Sequence, residues 1–71
     1  MSKPGRVIEV RDGEAEIEIG GRRRQFNALL VPDLAPGAWV LTHTGLVLSE
    51  ITEQDAEAIN ELLREGMEVG A

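Results

Sequence analysis

The residues of this chain that could do chemistry are few, and the most distinctive lie between Pro36 and Ile51. This segment holds the only histidine, His43, and the only tryptophan, Trp39, in 71 residues without a cysteine. An imidazole can bind a first-row metal, carry a proton or contact a partner. Because one ligand does not make a metal site, His43 could hold a metal only together with ligands from another protein.

Two interpretations of His43 are open. In the first, the ring sits at a strand end, partly buried and hydrogen-bonded. In the second, it contacts a metal or a partner protein. No serine–histidine–acid or cysteine–histidine arrangement can be assembled, and the single lysine, Lys3, lies near the start of the chain. We therefore expect that the protein is not an enzyme.

The elements that must position His43 are short strands. Apolar residues flank it on both sides and Gly45 follows it, which predicts two strands that meet at a turn near Thr44. Upstream, Asp-Gly and Gly-Gly pairs are hairpin signals that separate three further strands. The five strands are predicted over residues 6–11, 14–19, 22–30, 38–42 and 46–51, within a span of about residues 5–51.

A different pattern begins at Thr52. Its hydroxyl and the acidic residues that follow predict a helix N-terminus. Apolar spacings of three and four predict a helix over about residues 53–65, with Ile59 and Leu63 against the strands, then a flexible tail at 67–71. One domain over residues 1–71 is predicted, an all-β small OB-like barrel with one C-terminal α-helix; an SH3-like barrel is the alternative. The predicted core is Ile8, Val10, Ile17, Ile19, Val40 and Leu48.

The charge balance limits the classes of partner. Thirteen acidic and seven basic residues give a net charge of −6, which disfavours a nucleic-acid binder. The arginines at 22–24 fit either a charged edge strand or an anion-binding patch. No run of about 18 apolar residues occurs, so no membrane span is expected. The N-terminus lacks a signal-peptide core, and a cytoplasmic location is predicted.

In this order, the motifs resemble the HypC/HupF family of nickel–iron hydrogenase assembly chaperones, over nearly the whole length. PGRVI at 4–8 resembles the family's opening strand, and GGRR at 20–23 its Gly-Gly-x-x-Arg hairpin. PGAWVLTHTG at 36–45 resembles its segment ending in Val-His-x-Gly, and residues 51–63 resemble its short acidic helix.

The resemblance implies an OB-like barrel that carries an iron–cyanide–carbonyl fragment together with a HypD-like maturation factor. It implies delivery of that fragment to the hydrogenase large-subunit precursor. In the family, a cysteine after the initiator methionine holds the iron, and the histidine of His-x-Gly assists. His43 matches the histidine, whereas Ser2 stands where the cysteine would be. A serine hydroxyl is a far poorer iron ligand than a thiolate, so we expect no cofactor bound stably by the chain alone.

The N-terminal arm and the strand end at His43 are predicted to form one contact surface, with the arm leaving the barrel at its Pro-Gly pair. The predicted partner-binding residues are Ser2, Pro4, Gly5, Arg6, His43 and Gly45. Three explanations of the missing cysteine are open: a divergent paralogue that binds client or machinery without carrying iron, a replaced N-terminus, or a barrel recruited as a generic binding module unrelated to hydrogenase.

Overall fold

The computed structural model of the chain describes residues 2–64. Its elements are β1 (Lys3–Arg11), β2 (Glu14–Ile19), β3 (Arg22–Asn27), β4 (Trp39–His43), β5 (Leu46–Ile51) and α1 (Glu53–Arg64). The strands form a closed barrel in the order β1-β2-β3-β5-β4. This confirms the predicted small all-β barrel with one C-terminal helix. The predicted tail at 67–71 lies outside the described residues.

Tight turns join the antiparallel strands at the predicted places. The turn between β4 and β5 has φ of 53° at Thr44 and 80° at Gly45. Two successive positive φ values are typical of a type I′ turn, whose twist matches that of the flanking strands. A β-branched residue such as threonine rarely adopts positive φ. The backbone next to His43 therefore carries local strain of the kind often found at functional sites.

The core is built from the inward faces of the five strands and the loop between β3 and β4. Its buried residues are Val7, Ala15, Ile17, Phe26, Ala28, Leu34, Val40 and Val47. Ile17 and Val40 are fully buried, as predicted. Ile8, Val10 and Ile19 are only half-buried, and Leu48 is 36% exposed, so its predicted burial is wrong.

Two register shifts explain the positions of Ile8 and Leu48. Between β1 and β2 the pairing shifts between Val7 and Glu9, which leaves Ile8 as an extra residue. Between β4 and β5, Leu41 pairs with Ser49 but Thr42 pairs with Val47, which leaves out Leu48. An extra residue of this kind changes which side chains face the core. Val7 and Val47 therefore take the inward positions.

Strand β3 ends at Asn27, not at Leu30 as predicted. The Asn27 backbone N–H donates to the Gly45 carbonyl at 2.9 Å, and Asn27 pairs with Leu46 in parallel. Its side-chain Oδ1 accepts from the Leu29 N–H at 2.9 Å, which turns the chain out of the strand. Leu29 and Leu30 are 68% and 62% exposed as a result. Asn27 thus ends β3 and joins it to β5.

Helix α1 starts at Glu53, within two residues of Thr52 as predicted. The Thr52 hydroxyl accepts from the Asp55 N–H at 3.0 Å, which caps the first turn. The helix lies against β1 and β4 with Ala56 fully buried and with Ile59 and Leu63 half-buried. The described part of the chain contains no helix whose length and hydropathy would let it span a bilayer.

Candidate functional site

The N-terminal strand runs beside the strand that carries the histidine. Lys3 pairs with Thr42 across the antiparallel β1–β4 ladder. The Thr42 hydroxyl, 3% exposed, donates to the Lys3 carbonyl at 3.0 Å and fixes this register. Ser2 and His43 are the next residues beyond this last pair of the ladder. The structure therefore places the start of β1 next to the strand end that carries His43, and the shared contact surface stays a prediction.

The prediction that the arm leaves the barrel at Pro4-Gly5 is wrong. Both residues are buried within β1 and pair with Leu41 and Val40. A β-carbon at Gly5 would contact the Ile17 side chain and would lie 2.8 Å from Cγ1 of Ile19. The pair therefore holds the arm against the barrel and is not itself an exposed contact.

Arg6 lies apart from the other predicted site residues. It pairs with Trp39 across the β1–β4 ladder, and its guanidinium carbon is 5.7 Å from the centroid of the indole ring. This is the geometry of a cation–π contact. Arg6 is exposed and the indole is half-buried, so the two form a separate patch on the barrel wall.

His43 itself is exposed at the end of β4. None of the side-chain hydrogen bonds within residues 2–64 involves its ring. The interpretation of a partly buried, hydrogen-bonded ring is therefore wrong. The backbone next to the ring is fixed: the turn with positive φ at Thr44 follows His43, and the Gly45 carbonyl accepts from the Asn27 N–H. An exposed imidazole on a fixed backbone is suited to contact with another molecule.

A groove of about 570 Å³ opens beside His43. We call it the basic groove; it is lined by Lys3, Ile17, Ile19, Arg22, Arg24, Phe26, Thr42, His43, Thr44 and Gly45. Lys3, Arg22 and Arg24 were not among the predicted partner-binding residues, although Lys3 belongs to the N-terminal arm and an anion-binding patch was one interpretation of the arginines at 22–24. The alternation of side chains along β3 indicates which of these arginines share a face. Arg22 pairs with Ile19 and Arg24 with Ile17, so both share the face of those residues.

The arginines of β3 meet the acidic face of β2 at one position only. Arg23 pairs directly with Glu18. The residues on either side of it belong to the opposite face of the sheet, where successive side chains alternate. Arg22 and Arg24 therefore line the basic groove, whereas Arg23 lies on the opposite face of the sheet, opposite Glu18.

The side chains present do not fit a metal held by this chain alone. Residues 2–64 contain no group of three or more histidine, cysteine, aspartate or glutamate side chains close enough to share an ion. The sequence has no thiolate to offer. His43 could serve only as one ligand among several supplied by another protein.

We expect the purified protein to bind iron weakly or not at all. A single exposed imidazole cannot complete a coordination shell for iron. The measurement is the iron content after incubation with ferrous salt under anaerobic conditions and passage through a desalting column, with His43→Ala as the matched control. Stoichiometric iron retained by the wild-type protein would contradict the prediction.

The fold and the site define a small β-barrel with a covering helix, an exposed histidine in a His-x-Gly turn and a basic groove beside it. The sequence pattern of the HupF/HypC family matches residues 1–63. The chain belongs to this family, which confirms the resemblance seen in the motifs.

Three relatives illustrate the match. Frd operon uncharacterized protein C of Proteus vulgaris is 38% identical over 71 residues, covering 89% of this chain and 74% of the relative. Hydrogenase maturation factor HypC of Azotobacter chroococcum mcd 1 is 35% identical over 66 residues, covering 92% of this chain and 79% of its own. Hydrogenase maturation factor HybG of Escherichia coli K12 is 35% identical over 69 residues, with 87% and 84% covered.

Proposed function

We propose that this chain is a hydrogenase maturation chaperone that acts by protein–protein contact in the cytoplasm. The proposed partners are the large-subunit precursor of a nickel–iron hydrogenase and a HypD-like maturation factor. The family match over residues 1–63 and the names of two of the relatives above support this assignment. The observation that carries it is the exposed His43 beside the N-terminal strand, because the family resemblance places the contacts of such a chaperone there.

The absence of cysteine defines what kind of chaperone we propose. A low-spin iron fragment favours soft ligands such as thiolates, and this chain offers one imidazole and a serine hydroxyl at the same end of the barrel. We therefore propose that it binds the client or the assembly machinery without holding the iron–cyanide–carbonyl fragment itself. Any contribution of His43 to that fragment would come only with ligands from the partner.

The test is capture of partners from a cell that produces a nickel–iron hydrogenase. The affinity-tagged chain is cross-linked in vivo, purified and analysed by mass spectrometry, beside a tag-only control and a strain that lacks the large-subunit gene. We expect the large-subunit precursor or a maturation protein to be enriched over the tag-only control. If neither is enriched, the hydrogenase assignment is wrong and the generic binding module replaces it.

A further inference from the structure

We propose that the basic groove binds an extended peptide segment of a partner protein that has the pattern acid-x-acid-x-apolar. The proposal deepens the proposed function and rests on it, because it names the kind of segment through which the chaperone would hold its partner. It assigns a binding role to Arg22, Arg24 and Lys3, which line the groove together with His43.

The basic groove separates positive charge from the acidic residues of the chain. Lys3, Arg22 and Arg24 are three of the seven basic residues of the chain, and no acidic residue between positions 2 and 64 lines the groove. Within residues 2–64 the ion pairs are Arg11–Glu9 and Arg64–Glu61, both outside the groove. The three groove cations are thus available to a ligand. In a chain with a net charge of −6, such a local positive surface selects anionic groups.

The spacing of the two groove arginines matches that of alternate side chains in an extended peptide. Arg22 and Arg24 are two residues apart on one strand, so their β-carbons lie about 7 Å apart on the same face. Alternate side chains of any extended peptide have the same repeat. Two acidic residues separated by one position could therefore each meet one arginine, and arginine–carboxylate contacts are commonly bidentate.

The bottom of the basic groove, which we call its floor, is apolar. Ile17 and Phe26 are buried below the arginines, and Ile19 is half-buried beside them. A side chain on the same face, two positions beyond the acidic pair, would lie near the level of Phe26. Phe26 keeps 9% of its surface exposed and Ile19 is half-buried, so an apolar ligand group there covers the part of this floor that water still reaches. A phosphate chain would not, and Phe26 at 9% exposure offers no ring for base stacking.

The edge of β3 that faces β5 is largely unpaired within the described residues. Within the described chain this strand pairs with β5 only at Asn27, whereas its other side pairs with β2 along its whole length. The stretch from Arg22 to Gln25 is exposed. An extended peptide can add to such an edge by backbone hydrogen bonds while its side chains fill alternate sites. The edge, the two arginines and the floor all favour an extended peptide.

The test begins with selection of a random dodecapeptide display library on the wild-type chain. We expect the enriched peptides to share the acid-x-acid-x-apolar pattern. A labelled peptide from the selection is then titrated by fluorescence anisotropy. The double variant Arg22→Glu/Arg24→Glu should weaken binding about tenfold or more, because it places like charges against the ligand.

The matched control is Arg23→Glu. It makes the charge change of one of the two substitutions, at the position between them and on the face that meets Glu18, and should alter affinity by less than about twofold. Enriched peptides without paired acids, or an equal loss in the control, would overturn the proposal. So would tight binding of a labelled single-stranded dodecanucleotide that the double variant abolishes. A homodimer seen by sedimentation that the double variant dissolves would assign the groove to a second copy instead.

The same variants separate this proposal from the proposed function. If wild-type protein captures a hydrogenase maturation partner and the double variant captures it equally well, the function stands and the groove assignment is wrong. If the display selection gives the expected pattern but no maturation partner is captured, the groove stands as a peptide site and the hydrogenase assignment is wrong.

Discussion

Replacing Gly5 by alanine is expected to lower the free energy of unfolding by about 1–3 kcal/mol, as overpacking of a well-packed core commonly does. Gly5 lies in β1 where the strand crosses the core. Its added methyl would contact the Ile17 side chain, lie 2.8 Å from Cγ1 of Ile19 and lie 3.2 Å from the Glu18 carbonyl oxygen. Part of that contact is with backbone, which cannot move aside easily. The measurement is urea unfolding followed by circular dichroism.

The control is Gly21→Ala in the turn between β2 and β3. Gly21 has φ of 83° and nothing within 4 Å of an added β-carbon, so its substitution strains the backbone by about 1–2 kcal/mol without crowding the core. A double-mutant cycle separates the two causes. In an Ile19→Ala background, Gly5→Ala should lower the free energy of unfolding by at least about 0.5 kcal/mol less than it does in the wild-type protein. Gly21→Ala should have the same effect in both backgrounds. Strict additivity at Gly5 would show that the contact with Ile19 does not contribute to its cost.

The architecture could be predicted from the sequence because its signals are local. The Asp12-Gly13, Gly20-Gly21 and Thr44-Gly45 pairs each place two positive φ values in succession, and each is where a hairpin turn occurs. Thr52 begins the helix through one hydrogen bond to a residue three positions away. Such features depend on a few neighbouring residues, so the sequence alone is enough to locate them.

The errors concern features that depend on distant pairing. Leu48 was predicted in the core, but its exposure is set by the register against β4. The end of β3 is set by Asn27, which bonds to the turn after His43. A register between strands is decided by how the whole barrel closes. The alternation of a single strand does not contain that information.

The candidate site was predicted in part for the same reason. His43 stands out as the only imidazole, and its position at a strand end follows from the adjacent turn. Lys3 joins it only through the long-range pairing of β1 with β4. Arg22 and Arg24 could have been grouped from their spacing, but their face could be assigned only once the pairing with Ile17 and Ile19 was known.

His43→Ala is expected to weaken binding to a captured hydrogenase precursor or maturation partner about tenfold or more, the effect of losing one interface anchor. The ring is exposed to solvent, and the turn at Thr44-Gly45 fixes the backbone next to it, so a partner can contact the ring directly. The fold should be unaffected, because no hydrogen bond of residues 2–64 depends on this ring. The measurement is the dissociation constant by biolayer interferometry, with circular dichroism as the check on folding.

Deleting residues 2–3 should weaken the same binding about tenfold or more, because the arm and His43 share one end of the barrel. The deletion joins another residue's carbonyl to Pro4 in place of that of Lys3, so the buried Thr42 hydroxyl keeps a main-chain acceptor and stability should change little. The control is Glu57→Ala on the exposed face of α1, which should change neither affinity nor stability measurably.

If the deletion and His43→Ala both leave affinity unaltered while the partner is still captured, the contact surface lies elsewhere on the barrel. The Arg6–Trp39 patch would then be the next surface to mutate, because its stacked guanidinium and indole are of the residue types that commonly anchor interfaces.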